Sequence, residues 1–363
     1  MALAARTPEG GPAAGSTALS GIRAAYASAR RPARGGHPRL NLATPTERYS
    51  QAVRVLVVSN PRATATTVRQ RDVLVHALSA DAKLEVEETA NRGHAAALAC
   101  RAMRDGVDVV VALGGDGTVN EVVNGLLTDG VHPGVPRLGI VPGGSTNVVA
   151  RALGLPNDPV EATSVLIDAM NTDRHRHIGL GQADDRWFVF AAGLGYDAAV
   201  VAAVEAHRRR GRTSTHSLYV RTAVRTYFQQ DRRSPAITLE FPDGRTVPDL
   251  YFALVTNCDP WTFLGERPVS PTPRASFDTG LDVYARTRMG ATGIVFAAAR
   301  MIAGSRRRAG GRSKGFGSRL EHDLTEFVLH AERPLPFQVD GDALEERQQV
   351  RFRSVSAALD VYV

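Results

Sequence analysis

The chain has 363 residues, 43% of them hydrophobic, which suits globular packing and allows two domains of ordinary size. Basic residues outnumber acidic ones 44 to 37, a net charge of +7, and Lys83 and Lys314 are the only lysines. That arginine bias is compositional in part, and the remaining charge suits nucleic acid or an anionic lipid surface. No apolar run reaches the roughly 18 residues of a membrane span, the first residues lack a secretory pattern, and Cys100 and Cys258 are too few for a disulfide framework or metal set. The expected location is the cytoplasm.

Residues 1–50 are rich in Ala, Gly, Pro and Arg and read as a disordered basic tail. Within them Thr17–Arg31 allows a weak basic helix at a membrane, but a solvated tail is the favoured reading. From Val53 the pattern changes. Val53–Ser59 is an apolar strand run, Val68–Leu78 is helical, and Lys83–Thr89 alternates like a strand. Gly93–Gly106 is helical, Val107–Leu113 a strand, Arg137–Pro142 a strand and Ser145–Leu153 a helix. Strands alternating with helices imply a parallel sheet, in which ligands gather at the carboxyl ends of the strands. The fold class is therefore α/β, with a nucleotide-binding domain over residues 51–172.

Beyond about Asn171 short alternating runs dominate, at Asp185–Gly193, Pro235–Phe241, Leu250–Asn257, Leu281–Ala285, Glu326–Ala331, Leu335–Asp340, Val350–Ser354 and Ala358–Val363. They predict a β-rich, sandwich-like domain over residues 173–363, with helices at Asp197–His207, Ser217–Gln230 and Ala291–Ala303.

Four loops follow the first four strands, carrying "SNPRATATT", "TANRGHA", "GGDGTVNE" and "PGGSTN". All four fall on one sheet edge. Glycine lets backbone N–H groups approach an anion, helix N-termini add partial positive charge, and Ser and Thr add donors. Such convergence fits a polyphosphate. The usual nucleotide motifs are absent: no lysine sits in a Walker A loop, and the protein-kinase motifs are missing. Gly193–Ala198 matches Gly-x-Gly-x-x-Ala, but a plain strand-to-helix turn is favoured there.

"GGDGTVNEVVNG" with "PGGSTNVVARALGLP" resembles the diacylglycerol kinase catalytic family, which includes bacterial lipid kinases, sphingosine kinases and ceramide kinases. The resemblance runs from Val53 to Val363 and includes "AAGLGYDA", "VTNCDPWTFLGERPVSP", "ASFDTGLDVYA" and "VDGD". It implies an ATP- and Mg2+-dependent lipid kinase, with diacylglycerol converted to phosphatidic acid as the first expectation. Another lipid acceptor such as a sphingoid base is the alternative; NAD kinase or an inactive lipid-binding regulator ranks lower. By the same resemblance, Asn60, Thr89, Gly114, Gly115, Asp116, Gly117, Thr118, Asn120 and Thr146 hold the nucleotide.

Asp116 beside phosphates requires a cation or a transferable proton between them, so a magnesium-linked role, a base role and a structural turn role all stand. The family's Asp-Gly-Glu is Asp340-Gly341-Asp342 here, one methylene shorter at its last position. Asp342 is the first choice for catalytic base and Asp340 the second, against a hairpin turn that Asp-Gly favours. The family's structural magnesium segment maps onto Ser276, Asp278 and Leu281, with Thr279 where the usual side-chain ligand stands; Thr is a poor magnesium ligand. The basic runs His207–Arg212 and Ser305–Gly315 read as solvated loops or as contacts with an anionic leaflet. The expected partners are a membrane lipid and an anionic membrane surface, reached peripherally from the cytoplasmic face; a homodimer is left open. No stacking motif or nucleic-acid module supports nucleic-acid binding.

Overall fold

The computed structural model describes residues 53–61, 72, 75–78, 82–209, 222, 225–226, 234–304 and 317–363. The expected tail over 1–50, most of the first glycine-free loop and the basic runs lie largely or wholly outside the described residues. So do most of the helices expected at Val68–Leu78 and Ser217–Gln230, whose described residues are helical.

Strands β1 (Arg54–Ser59), β2 (Lys83–Glu88), β3 (Val109–Gly114) and β4 (Arg137–Pro142) are parallel, in the spatial order β4-β3-β1-β2. Every residue of β3 is buried, which requires cover on both faces and explains its unbroken apolar run. Helix α1 (His94–Arg104) buries Ala95, Leu98, Ala99 and Ala102, the i, i+3, i+4, i+7 stripe of an amphipathic helix. Helix α2 (Asp116–Leu126) packs against it closely, because a Cβ on Gly125 would lie 2.2 Å from the Ala96 carbonyl oxygen. Val55 and Val57 face one layer of the core while Leu56 and Val58 face another, as the two-residue period of a strand demands.

Helices α3 (Val148–Ala152) and α4 (Pro159–Asn171) follow. The second was not anticipated, yet its start is written in the sequence: Pro159 opens the helix and Asp158 accepts from the Val160 and Glu161 amides at 2.9 and 3.0 Å.

The remainder is β-rich. It comprises β5 (His175–Ala183), β6 (Arg186–Phe188), β7 (Ala191–Gly195), helix α5 (Tyr196–Arg209), β8 (Ile237–Glu240), β9 (Thr246–Leu250) and β10 (Phe252–Thr256). It continues with the hairpin β11 (Thr262–Leu264) and β12 (Arg267–Val269), then β13 (Leu281–Arg286), helix α6 (Ala291–Gly304), β14 (Ser318–Leu324), β15 (Glu326–Val339) and β16 (Asp342–Tyr362). Gly193–Ala198 is the strand-to-helix turn between β7 and α5.

Among the described residues, fourteen strands form one continuous sheet, and its main path runs β14-β13-β10-β7-β15-β16-β4-β3-β1-β2. The join is β16, antiparallel to β15 and β5 and parallel to β4 where Val361 meets Leu138. The last strand therefore ties the β-rich part to the parallel part. A core of Phe188, Leu239, Phe327, Phe337, Val350 and Phe352 fills the β-rich side.

Candidate functional site

Parallel pairing puts the ends of β1, β3 and β4 side by side. Ser59 lies opposite Leu113, and Gly114 opposite Pro142. The Thr89 amide donates to the Ser59 carbonyl at 2.9 Å, and the Asn60 amide to the Leu113 carbonyl at 3.0 Å. Asn60, Thr89, Gly114–Thr118 and Thr146 thus gather on one sheet edge, as the order of elements requires.

The two glycine turns touch backbone to backbone. The Gly143 amide donates to the Gly114 carbonyl at 2.8 Å. A Cβ on Gly144 would fall 2.8 Å from the Gly115 Cα, and one on Gly115 would fall 3.2 Å from the Gly144 Cα. Asn147, in the left-handed region at φ 50°, closes the second turn: its side chain accepts from the Gly144 amide and donates to the Gly144 carbonyl, both at 2.9 Å. A Cβ on Gly117 would meet nothing within 4 Å, so that position faces open space; in the second turn Ser145 is exposed and Thr146 half-buried. Asn60 donates to the buried Thr118 hydroxyl at 3.3 Å, tying the first loop to the third.

Among the described residues, α1, α2 and α3 begin at this edge, and their N-termini differ. Glu121 fills that of α1, accepting from the Gly93 and Ala95 amides at 2.9 and 3.2 Å. Asp116 fills that of α3, accepting from the Val149 amide at 3.0 Å. Helix α2 has no side-chain cap at Gly115. The Thr118 amide turns back to the Gly115 carbonyl at 2.9 Å and the Asp116 amide bonds its own carboxylate, so the start of α2 offers an anion the Gly117 amide and the positive end of the helix dipole.

The three aspartates have separate surroundings. Burial pushes the Asp116 carboxyl above its ordinary range, while the Val148 and Val149 amides and then the Arg151 charge oppose the shift. Asp340 is buried at φ 46°. It accepts four hydrogen bonds, from the Val189, Phe190 and Ala191 amides at 2.7, 3.0 and 2.9 Å and from Asn120 Nδ2 at 2.7 Å. Burial still pushes its carboxyl up, to about 6, against those donors. With both oxygens engaged, Asp340 is a pin between β15 and the chain entering β7. In this arrangement neither oxygen is left open to a substrate proton.

Asp342 instead projects outward, its side chain 26% exposed, with Arg92 Nη2 at 3.0 Å and Arg186 Nη2 at 3.7 Å. Arg92 comes from the loop after β2 and also pairs with Glu205 on α5 at 3.1 Å.

Asn120 is engaged by the same group of residues. It donates to Asp340 and to the Trp187 carbonyl, and it accepts from Arg186 and Asn124. Buried and saturated, it has nothing left to offer a nucleotide; it carries α2 to the Asp340 pin.

The segment expected to hold a structural magnesium is closed by protein groups. Arg176 Nη2 lies 2.6 Å from an Asp278 oxygen. The Thr279 amide and hydroxyl both donate to the Ser276 carbonyl, at 3.0 and 3.1 Å. Leu281 is a strand residue opposite Leu324. A guanidinium and a hydroxyl thus already meet the Asp278 carboxylate and the Ser276 carbonyl in this arrangement.

Sequence reasoning missed Arg92, Arg186, Glu121 and Asn147. Only Asn147 had a local signal, an Asn closing a Gly-Gly turn; the others act across 26 to 250 residues of chain.

Residues 54–181 match the model of the diacylglycerol kinase catalytic domain. A curated diacylglycerol kinase from Staphylococcus haemolyticus is 39% identical over 123 residues, which are 34% of this chain and 35% of that protein. One from Staphylococcus aureus is 38% identical over 123 residues, 34% of this chain and 37% of that protein. The match therefore spans about a third of the length of these curated relatives. The crystal structure of a diacylglycerol kinase from Bacillus anthracis superposes with a TM-score of 0.63 at 19% identity, covering 86% of this chain and 97% of that one. A second Bacillus anthracis structure superposes at 0.66 with 20% identity and the same coverage. At such identities the likeness shows the fold, which extends over both the parallel and the β-rich parts. Over residues 54–181, about a third of its length, the chain is similar to the diacylglycerol kinase catalytic domain.

Proposed function

We propose that the protein is a lipid kinase that transfers the γ-phosphoryl group of ATP to the hydroxyl of diacylglycerol. The observation that carries this reading is the uncapped start of α2 beside two touching glycine turns, inside a matched kinase catalytic domain. Phosphates would rest on the Gly115–Thr118 turn, with Ser145 and Thr146 at their flank and Asn60 and Thr89 at the neighbouring strand ends. Asp116 is a hard oxygen donor at this turn and fits Mg2+ through what its bond to Val149 leaves open. When bound, that ion offsets phosphate charge.

Asp342 is the proposed proton acceptor. Its oxygens are held by movable guanidinium groups rather than by backbone, so an arriving hydroxyl can replace one of them. The pairing of Arg92 with Asp342 also spans the parallel and β-rich parts, which favours a site completed from both sides.

A lipid substrate requires contact with a membrane, and we propose an anionic leaflet as the partner. Val295, Phe296 and Ile302 are exposed on α6 at helical spacing, and the sequence continues directly into the arginine-rich Ser305–Gly315. An apolar stripe next to basic charge suits a helix lying in a lipid interface. No helix among the described residues is long and apolar enough to cross a membrane.

The test is radiolabelled ATP with mixed micelles of diacylglycerol, a sphingoid base or phosphatidylglycerol, and with NAD in solution. Labelled phosphatidic acid is expected, with Asp342→Asn lowering kcat by about 10²- to 10⁴-fold. Label in another lipid would change the acceptor, and label in NAD would overturn the reading. Tight lipid binding without transfer would make the protein a regulator.

A further inference from the structure

A different group of side chains lies at the other end of the parallel strands. We propose that His175, His177 and Asp360 form a binding site for a first-row transition-metal dication, with Zn2+ the best match. The three residues are the group of metal-ligating side chains that converges among the described residues, with one ligand atom from each lying within 4.8 Å of the others.

Strand geometry brings them together. β5 and β16 are antiparallel, with His177 opposite Asp360 and His175 opposite Tyr362. Opposed residues share a face, and His175 and His177 are two positions apart, so both imidazoles project on the side of the Asp360 carboxylate. His177 Nδ1 contacts one Asp360 oxygen, and His175 Nε2 lies 4.0 Å from the other. A tetrahedral zinc with ligand bonds near 2.1 Å separates its ligand atoms by roughly 3.3 Å. A metal at that spacing opens the first contact and closes the second.

The surroundings match a metal site in two respects. His175 Nδ1 lies 2.9 Å from the Asp173 carbonyl, which can only accept. Nδ1 therefore carries the proton and Nε2 keeps its lone pair toward Asp360, the arrangement by which a second shell orients a ligating histidine. The nearby guanidinium groups are engaged elsewhere: Arg176 with Asp278, Arg174 with Asp168 and the Val363 carbonyl, Arg137 with Asp173 and the Tyr362 hydroxyl. None is paired with Asp360. Two imidazoles and one carboxylate select zinc, cobalt, nickel or copper over magnesium, which prefers oxygen alone. His177 is well exposed, with 64% of its side chain in solvent, so water can take a fourth position.

This site is separate from the proposed phosphate site. Tyr362 meets Arg137 at the first residue of β4, whereas the glycine turn begins after the last, Pro142. Five residues of strand put roughly 17 Å between them. A metal here would clamp β16 to β5 close to the point where β16 joins β4.

The experiment is calorimetric titration of Zn2+ into the full, untagged chain with Mg2+ in excess, together with Co2+ absorption spectra. Wild type is expected to bind one Zn2+ per chain, to show visible Co2+ ligand-field bands, and to melt a few degrees higher with Zn2+. His177→Ala, chosen because its exposure spares the fold, and Asp360→Asn are each expected to weaken binding at least about tenfold. No Zn2+ binding by wild type at micromolar protein, or undiminished binding by the His175→Ala/His177→Ala double variant, would overturn the proposal.

Discussion

Replacing Asp340 by alanine separates a structural pin from a catalytic carboxylate. The substitution removes the acceptor of the Val189, Phe190 and Ala191 amides and of Asn120, which keeps the Trp187 carbonyl. Three orphaned buried amides at about 1–3 kcal/mol each cost about 3–9 kcal/mol. Part is recovered, because wild type buries an ionised carboxylate at neutral pH. Its shift from near 4 to about 6, at about 1.4 kcal/mol per unit, puts that relief near 3 kcal/mol. The net loss expected at pH 7.5 is about 3 kcal/mol, a large share of a stability of about 5–15 kcal/mol.

The pH dependence follows from the same shift. A folded-state value above the unfolded one means that the wild-type contribution is greatest below about pH 4 and is lost as pH rises through about 6. Wild type is therefore the more favoured at pH 5, and the loss in the variant should be about 1 kcal/mol larger there than at pH 7.5. Urea unfolding followed by tryptophan fluorescence measures both, since the buried Trp187 lies in the pinned segment. A variant as stable as wild type but without phosphoryl transfer would refute the pin and return Asp340 to the chemistry. A loss that grows with pH would mean that the four donors outweigh burial.

Gly144→Ala places a methyl group 2.8 Å from the Gly115 Cα, a backbone atom that cannot rotate away. A loss of about 1–3 kcal/mol in stability and roughly a hundredfold in kcat/KM for ATP is expected; unchanged kinetics would remove the turn from the site. Asp197 is buried with one side-chain donor, Gln338 Nε2 at 2.8 Å, and burial raises its carboxyl to about 6. Its contribution to wild-type stability is likewise lost as pH rises from about 4 to about 6, so Asp197→Asn should match wild type only below about pH 4 and exceed it by about 2–3 kcal/mol at pH 7.5. Chemical denaturation at the two pH values checks this, and a less stable variant at pH 7.5 would contradict it. Mg2+ without nucleotide should leave the melting temperature unchanged, because Arg176 and Thr279 already satisfy the Ser276–Asp278 turn. A Mg2+-induced rise that disappears in Asp278→Asn would restore a cation there.

Much of the parallel part was legible because its information is local. An all-apolar run such as Val109–Leu113 has to be a covered strand, and a Gly-Gly turn between strand and helix has to expose backbone. Four strand-to-helix loops in order must reach one edge. The sequence also contained the start of α4 in Asp158-Pro159, a cap signal that went unused. Many of the β-rich strands were legible as alternating runs; β14 escaped because charged residues interrupt it, β5 because it opens His-Arg-His and carries two glycines, and β9, β11 and β12 are short.

What the sequence could not assign was the division of labour among equal side chains. Asp340 and Asp342 are two residues apart, yet left-handed backbone turns the first inward onto three amides and leaves the second to two arginines. Asn120 sits one turn into the glycine-loop helix, yet Trp187, Arg186 and Asp340 from the β-rich part, with Asn124 of its own helix, take its whole hydrogen-bonding capacity. Asp278 reads as a cation ligand until Arg176, 102 positions earlier, is folded against it. The sequence by itself determined the elements, their order and the anion-seeking edge, since periodicity and glycine act within a few residues. The tertiary structure decided which carboxylate is a pin, which a cap and which is open to solvent. A carboxylate's role is set by the donors and the water around it, and those donors arrive from distant parts of the chain.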